Sequence, residues 1–223
     1  MFHSMFGTPV HICSKYAGSP VDESLLEAKG GKHLNRENNF TSENTNILES
    51  AGYEEINRRI LEGLDEYVGN ILGIDTEAHE FYITQSWLNI NPKGSSHHKH
   101  FHSNALVSGA YYLSAPEGSS ITLHSSNTTT ITNLSLLRFK IKHMGMHNAR
   151  SCTLPVQTNN IIYFPSSMEH EVAENVSDTN RVSLSFNVFV KGELGDEKEL
   201  TKLHLNKWCD CSFDPNAEAE DPE

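Results

Sequence analysis

The hydrophobic period of the chain changes once, at Ile74, and this change constrains the fold more than any other feature. Between residues 51 and 72 the apolar residues Ile56, Ile60, Leu61, Leu64, Tyr67, Val68, Ile71 and Leu72 recur three or four apart, and Gly73 follows. That spacing predicts one helix with a glycine stop, its apolar stripe covering the outside of a sheet. Beyond Ile74 the period falls to two. Runs at 81–90, 105–113, 121–124, 134–141, 160–164, 169–174 and 181–190 read as short strands, separated by turn composition at 91–94, 116–119 and 175–180. Many short strands after one helix predict a mainly β sandwich or barrel, most simply a jelly roll.

The 223 residues suit one all-β domain with additions. The pattern divides them into an N-terminal wrapping segment (1–50, with a short helix at 22–28), the support helix (51–73), the barrel (74–209) and an acidic tail (210–223). The tail carries six acids and no base, and its Pro and acid content predicts disorder. The formal charge is −12, yet Glu117 is the only carboxylate between Phe81 and Met168, a stretch holding Lys93, Lys99, Arg138, Lys140, Lys142 and Arg150. A net-positive middle inside an acidic whole suits a small anionic ligand better than a nucleic acid, which demands a larger basic face. Four scattered cysteines, no leader-like apolar segment and no run of ~18 apolar residues argue for a soluble, cytoplasmic protein without a membrane partner. Cys209-Asp-Cys211 and the pair His143 and His147 are assigned no role.

Chemistry concentrates in two places. His97, His98, His100 and His102 fall within six residues at a strand end, and His170 opens a later strand after the turn following Pro165. Neutral imidazole is the commonest metal-ligating side chain, and a His-x-His pair with a distant single His can converge on one ion in a jelly roll. On the last predicted strand Val182, Leu184, Phe186, Val188 and Val190 alternate with Arg181, Ser183, Ser185 and Asn187. One face therefore packs and the other looks into a polar interior, where the Arg181 fork and the Ser183 hydroxyl can receive a carboxylate.

Trp87-x-Asn89, Gly94, His100-x-His102-x-Asn104, Ser108-Gly109 with Tyr111-Tyr112, Phe164-Pro165, His170 and Arg181-x-Ser183 through Asn187 together resemble the 2-oxoglutarate and Fe(II)-dependent oxygenases. The likeness is strongest to small members found in phages and bacteria, and it spans about half the chain. It implies a double-stranded β-helix binding Fe(II) through His100, His102 and His170, with 2-oxoglutarate as a small-molecule cosubstrate and O2 as oxidant. Ascorbate could serve as reductant. Arg181 and Ser183 would hold the far carboxylate of the cosubstrate, and Asn187 would lie with them. Asn89 and Asn91 occupy the place of an Asn-x-Tyr pair that touches the cosubstrate in the nucleic-acid demethylase branch. The family usually has His-x-Asp or His-x-Glu; here the second position is His102. Either three imidazoles hold the metal or Glu169 or Glu171 joins. Flanking strand residues point to the opposite face, which favours three histidines. The implied activity is hydroxylation with release of succinate and CO2. Gly94, His100-x-His102 and the run from Pro165 to His170 also resemble the cupin motif, whose enzymes share the barrel without using 2-oxoglutarate. A non-catalytic metal-stapled jelly roll is the third reading.

Overall fold

The computed structural model describes residues 7–20, 22–27, 31–125, 140–143, 145 and 148–205. The strands run β1 (His11–Cys13), β2 (Lys32–Leu34), β3 (Phe40–Ser42), β4 (Glu80–Asn91), β5 (His97–His100), β6 (Val107–Ser114), β7 (Ser120–His124), β8 (Ser151–Pro155), β9 (Ile161–Pro165), β10 (His170–Val172), β11 (Arg181–Leu194) and β12 (Leu203–Leu205). One α-helix, α1 (Glu54–Asp65), lies between β3 and β4. The larger antiparallel sheet has the order β1-β9-β6-β11-β4-β3-β2, with β12 on β11; the smaller has β5-β10-β7-β8. This is the mainly β, jelly-roll arrangement that the two-residue period implies. The expected strand at 134–141, except its last two residues, and the tail lie outside the described residues, as do Cys209, Cys211 and His147. Among the described residues no helix is long and apolar enough to cross a membrane.

Two apolar layers result. Val182, Leu184, Phe186 and Val188 of β11 pack in one cluster with Val107, Tyr111 and Leu113 of β6, Ile161 and Tyr163 of β9, and Ile56, Ile60 and Leu64 of α1. A second layer between the sheets joins Ala110, Tyr112, Ile121, Leu123, Ile162, Phe164 and Met168. Successive strand residues alternate between these layers, so β6 and β9 serve both cores at once. The helix begins with Glu54 and Glu55, which complement the positive end of its dipole, and continues as a π turn over Glu66–Ile71. Gly73 closes it with φ of 69°. Ile56, Ile60, Leu64, Tyr67 and Val68 are buried as the stripe predicts, while Leu61, Ile71 and Leu72 are exposed. The wider π turn carries the end of the stripe away from the sheet.

Register then sets the polar interior. Arg181, Ser183 and Ser185 of β11 stand opposite Asn91, Asn89 and Trp87 of β4, and Asn187 stands opposite Ser108 of β6. Three strands thus contribute inward polar residues at one end of the barrel. Gly109 on β6 makes this close packing possible, since a Cβ there would collide with the Phe186 ring and the Ile162 carbonyl. Both neighbours are buried and one is backbone, so Gly109→Ala is expected to destabilise the fold by about 2 kcal/mol, as overpacked cores do. The denaturant midpoint checks this, with an unchanged m-value.

Candidate metal centre and cosubstrate pocket

Pairing of β5 with β10 places His100 directly across from His170. His102 lies two residues beyond His100, fixed by its backbone N–H donating to the Ser166 carbonyl at 3.0 Å. The three imidazoles meet as a result: ring centroids are 5.2 Å apart for His100 and His102, 4.3 Å for His100 and His170, and 5.1 Å for His102 and His170. Each Nδ1 faces an oxygen acceptor. The partners are the His98 carbonyl at 2.7 Å, the Asn187 carboxamide oxygen at 2.5 Å and the Met168 carbonyl at 3.1 Å. An oxygen that only accepts requires the proton on Nδ1, so each Nε2 keeps its lone pair.

Among the described residues no hydrogen-bond donor faces those lone pairs. Nε2 of His100 and Nε2 of His102 are 3.3 Å apart, and the candidate ligand atoms of all three histidines lie within 4.8 Å of one another. Two unprotonated nitrogens cannot hydrogen-bond each other, but two ligands of one ion at about 2.1 Å each leave a comparable gap. Burial lowers the pKa of His100 and His102 and pushes His170 down to about 3, with repulsion from neighbouring imidazoles adding to it. His97, stacked on His100 at 4.5 Å, is held at about 4 for the same reason. All four rings are neutral near pH 7, and three of them, His100, His102 and His170, are placed to share an ion. The flanking carboxylates are engaged elsewhere, Glu169 with Lys99 at 2.9 Å and Glu171 with His124 at 3.0 Å.

Inward from the histidines lies a pocket of about 40 Å³ lined in part by Asn89, Asn91, Tyr112, Arg181, Ser183 and Ser185. Outward, a cleft of about 760 Å³ is bordered by Asn35, Arg36, Glu37, Trp87, Phe101 and Ser103 among others. His100 and His102 line both cavities, so the three-histidine group stands between them. Arg181 is only 3% exposed, and the hydrogen bond it makes is to the Ala173 carbonyl at 3.0 Å. No carboxylate among the described residues pairs with it. Burial lowers its pKa, yet a guanidinium stays protonated, so the pocket floor holds a cation without a counter-charge. Such a group is costly until an anion reaches it.

Four of the five residues expected around a cosubstrate line this pocket: Asn89, Asn91, Arg181 and Ser183. Asn89 is held by Ser185 at 2.9 Å and Thr41 at 3.2 Å. Asn187 sits at the outer cleft, its carboxamide oxygen shared between His102 and the Ser108 hydroxyl. The parity of β11 places Asn187 inward but does not reveal that it orients an imidazole. The carbonyls of His98 and Met168 leave no sequence signal at all.

The three histidines, Asn89, Asn91, Arg181, Ser183 and Asn187 fall within one span of the sequence. Residues 85–187 match the family described as "Putative 2OG-Fe(II) oxygenase". That family uses Fe(II), 2-oxoglutarate and O2, and the matched region includes the three histidines and Arg181. Among solved structures, the fold is similar to an oxidoreductase of the 2OG-Fe(II) oxygenase family from Burkholderia pseudomallei, with 14% identity over 74% of each chain and a TM-score of 0.50. It is also similar to HygX from Streptomyces hygroscopicus, solved with nickel, 2-oxoglutarate and hygromycin B bound. That likeness has 10% identity over 81% of this chain and 82% of HygX, with a TM-score of 0.52. At such identities the likeness is one of fold. No curated protein matches the sequence.

Proposed function

We propose that the protein is an Fe(II)- and 2-oxoglutarate-dependent dioxygenase that hydroxylates a substrate held in the outer cleft. The observation that carries this reading is the coincidence, in one pocket, of three unprotonated Nε2 atoms and a buried, uncompensated Arg181. His100, His102 and His170 hold the iron, and Arg181 with the Ser183 hydroxyl receives the far carboxylate of the cosubstrate. When bound, the iron supplies the oxidising chemistry that consumes O2 and 2-oxoglutarate, releases succinate and CO2 and leaves an oxygen atom on the substrate.

The chain's own residues do the positioning. Acceptors on each Nδ1 lock the three rings and raise the basicity of Nε2, and Asn89 and Asn91 present carboxamides along the cosubstrate's path. Trp87, tilted on His102 at 5.5 Å, covers the boundary between pocket and cleft and keeps water from the reacting centre. Three neutral ligands leave the site more positive than two histidines and a carboxylate would. This strengthens binding of a dianionic cosubstrate and lets zinc or nickel compete with iron. Arg181 and Ser183 favour this reading over a cupin, which has no need of a buried carboxylate receptor.

Asn187→Ala is expected to weaken Fe(II) binding by roughly 10- to 100-fold, the usual effect of removing the partner that orients a ligand. Equilibrium dialysis under anaerobic conditions measures it. The activity itself is tested by incubating the protein with Fe(II), ascorbate and 2-oxoglutarate in air and following succinate. Slow succinate release that stops with a chelator supports the proposal. No release, with iron bound, would replace it with the cupin or structural reading.

A further inference from the structure

Metal-ligating side chains also converge away from the barrel interior. His11 and Cys13, two residues apart on β1, share one strand face, and Glu66 opens the π turn after α1. Their ligand atoms lie within 4.8 Å of one another. Nε2 of His11 is buried and has no hydrogen-bond partner, and the Glu66 carboxylate oxygen is 3.7 Å from it. That distance is too long for a hydrogen bond. Two nitrogen or oxygen ligands of one tetrahedral ion, each about 2.0 to 2.1 Å from the metal, are separated by roughly 3.4 Å, so a small closure brings both onto an ion. Buried polar atoms are rarely left unpaired in folded proteins, and an ion would give this nitrogen its partner.

We infer that His11, Cys13 and Glu66 form a second, structural divalent-metal site suited to zinc. Thiolate, imidazole and carboxylate are a zinc donor set, and the half-exposed Glu66 leaves a fourth position open to water. Binding converts the free, buried Cys13 thiol to thiolate, its proton passing to solvent. Neighbouring side chains hold β1 in place. The Tyr163 ring stacks on His11 at 5.9 Å, and the Tyr67 hydroxyl donates to the Pro9 carbonyl at 3.0 Å. Cys13 belongs to the apolar layer beneath α1, whereas the three-histidine group lies at the pocket on the other side of the large sheet. The consequence is mechanical. β1 is a three-residue strand at the sheet edge, paired with β9, and the ion clips it to the end of α1.

Cobalt(II) tests this without activity, because thiolate bound to cobalt gives a near-ultraviolet charge-transfer band that a histidine-only centre lacks. The background is the full chain carrying Cys152→Ser, Cys209→Ser and Cys211→Ser, which leaves Cys13 as its sole thiol. We expect a saturable band, bleached when zinc displaces cobalt, lost in Cys13→Ser, and reached only at tenfold or higher cobalt concentration in His11→Asn and Glu66→Gln. Glu66 is on the surface, so Glu66→Gln keeps the test decisive even where Cys13→Ser fails to fold. The absence of a band in the background protein overturns the site, as does a band whose cobalt dependence is unchanged in both His11→Asn and Glu66→Gln.

Discussion

His170→Ala is expected to weaken Fe(II) binding by at least about 100-fold and to abolish succinate formation, since removing a direct ligand costs more than removing the residue that orients one. His170 is 5% exposed, stands opposite His100 across the β5–β10 pair, and is aimed by the Met168 carbonyl. Without it the His-x-His pair keeps two nitrogens at the mouth of the pocket and nothing to close the third side. The ring also packs on Phe164 at 4.7 Å, so some stability is lost with it. His170→Gln, which fills more of the space, separates the two effects. Its thermal midpoint should recover toward wild type while iron binding stays weak, as dialysis and calorimetry together would show.

Arg181→Met is expected to raise the dissociation constant of 2-oxoglutarate roughly 100-fold, within the range for removing one partner of a buried charge pair, while Fe(II) affinity changes little. The direction for stability is the opposite of the usual one. In the metal-free, ligand-free protein the Arg181 guanidinium is desolvated with no counter-charge, so an apolar side chain of similar length should hold or raise Tm. Adding 2-oxoglutarate and metal should then raise Tm in the wild type far more than in Arg181→Met. Arg181→Lys should restore binding only in part, because a lysine offers a point charge in place of a two-pronged fork. A fall in Tm on Arg181→Met with unchanged 2-oxoglutarate binding would make Arg181 a structural residue.

The parts of the fold legible in the sequence are those whose residues obey a period over a long run. β11 alternates polar and apolar residues without a break from Arg181 to Val188, and α1 carries a stripe that buries Ile56, Ile60 and Leu64. β1, β2, β3, β5, β8 and β12 were not legible. Each is three to five residues long, and β5 is His97-His98-Lys99-His100, with no apolar alternation to read. Such strands form because their neighbours offer unpaired backbone, a tertiary cause with no local signature. Hence the N-terminal segment, expected only to wrap the barrel, supplies three strands of the large sheet.

The candidate site follows the same division. Histidine spacing brought His100, His102 and His170 together, and the parity of β11 put Arg181, Ser183 and Asn187 on one face. The backbone carbonyls that fix two of the ring tautomers depend on loop geometry alone. Glu66 shares no local spacing with His11 and Cys13, because it reaches that pair through the packing of α1 on the sheet.

The most direct measurement is an anaerobic titration of 2-oxoglutarate into the metal-stripped protein reloaded with Fe(II), read by visible absorption. A saturable band of the kind a 2-oxo acid gives when chelated to ferrous iron, absent in His170→Ala and requiring far more cosubstrate in Arg181→Met, is the predicted result. Iron that binds through the histidines with no band at any 2-oxoglutarate concentration would contradict the account.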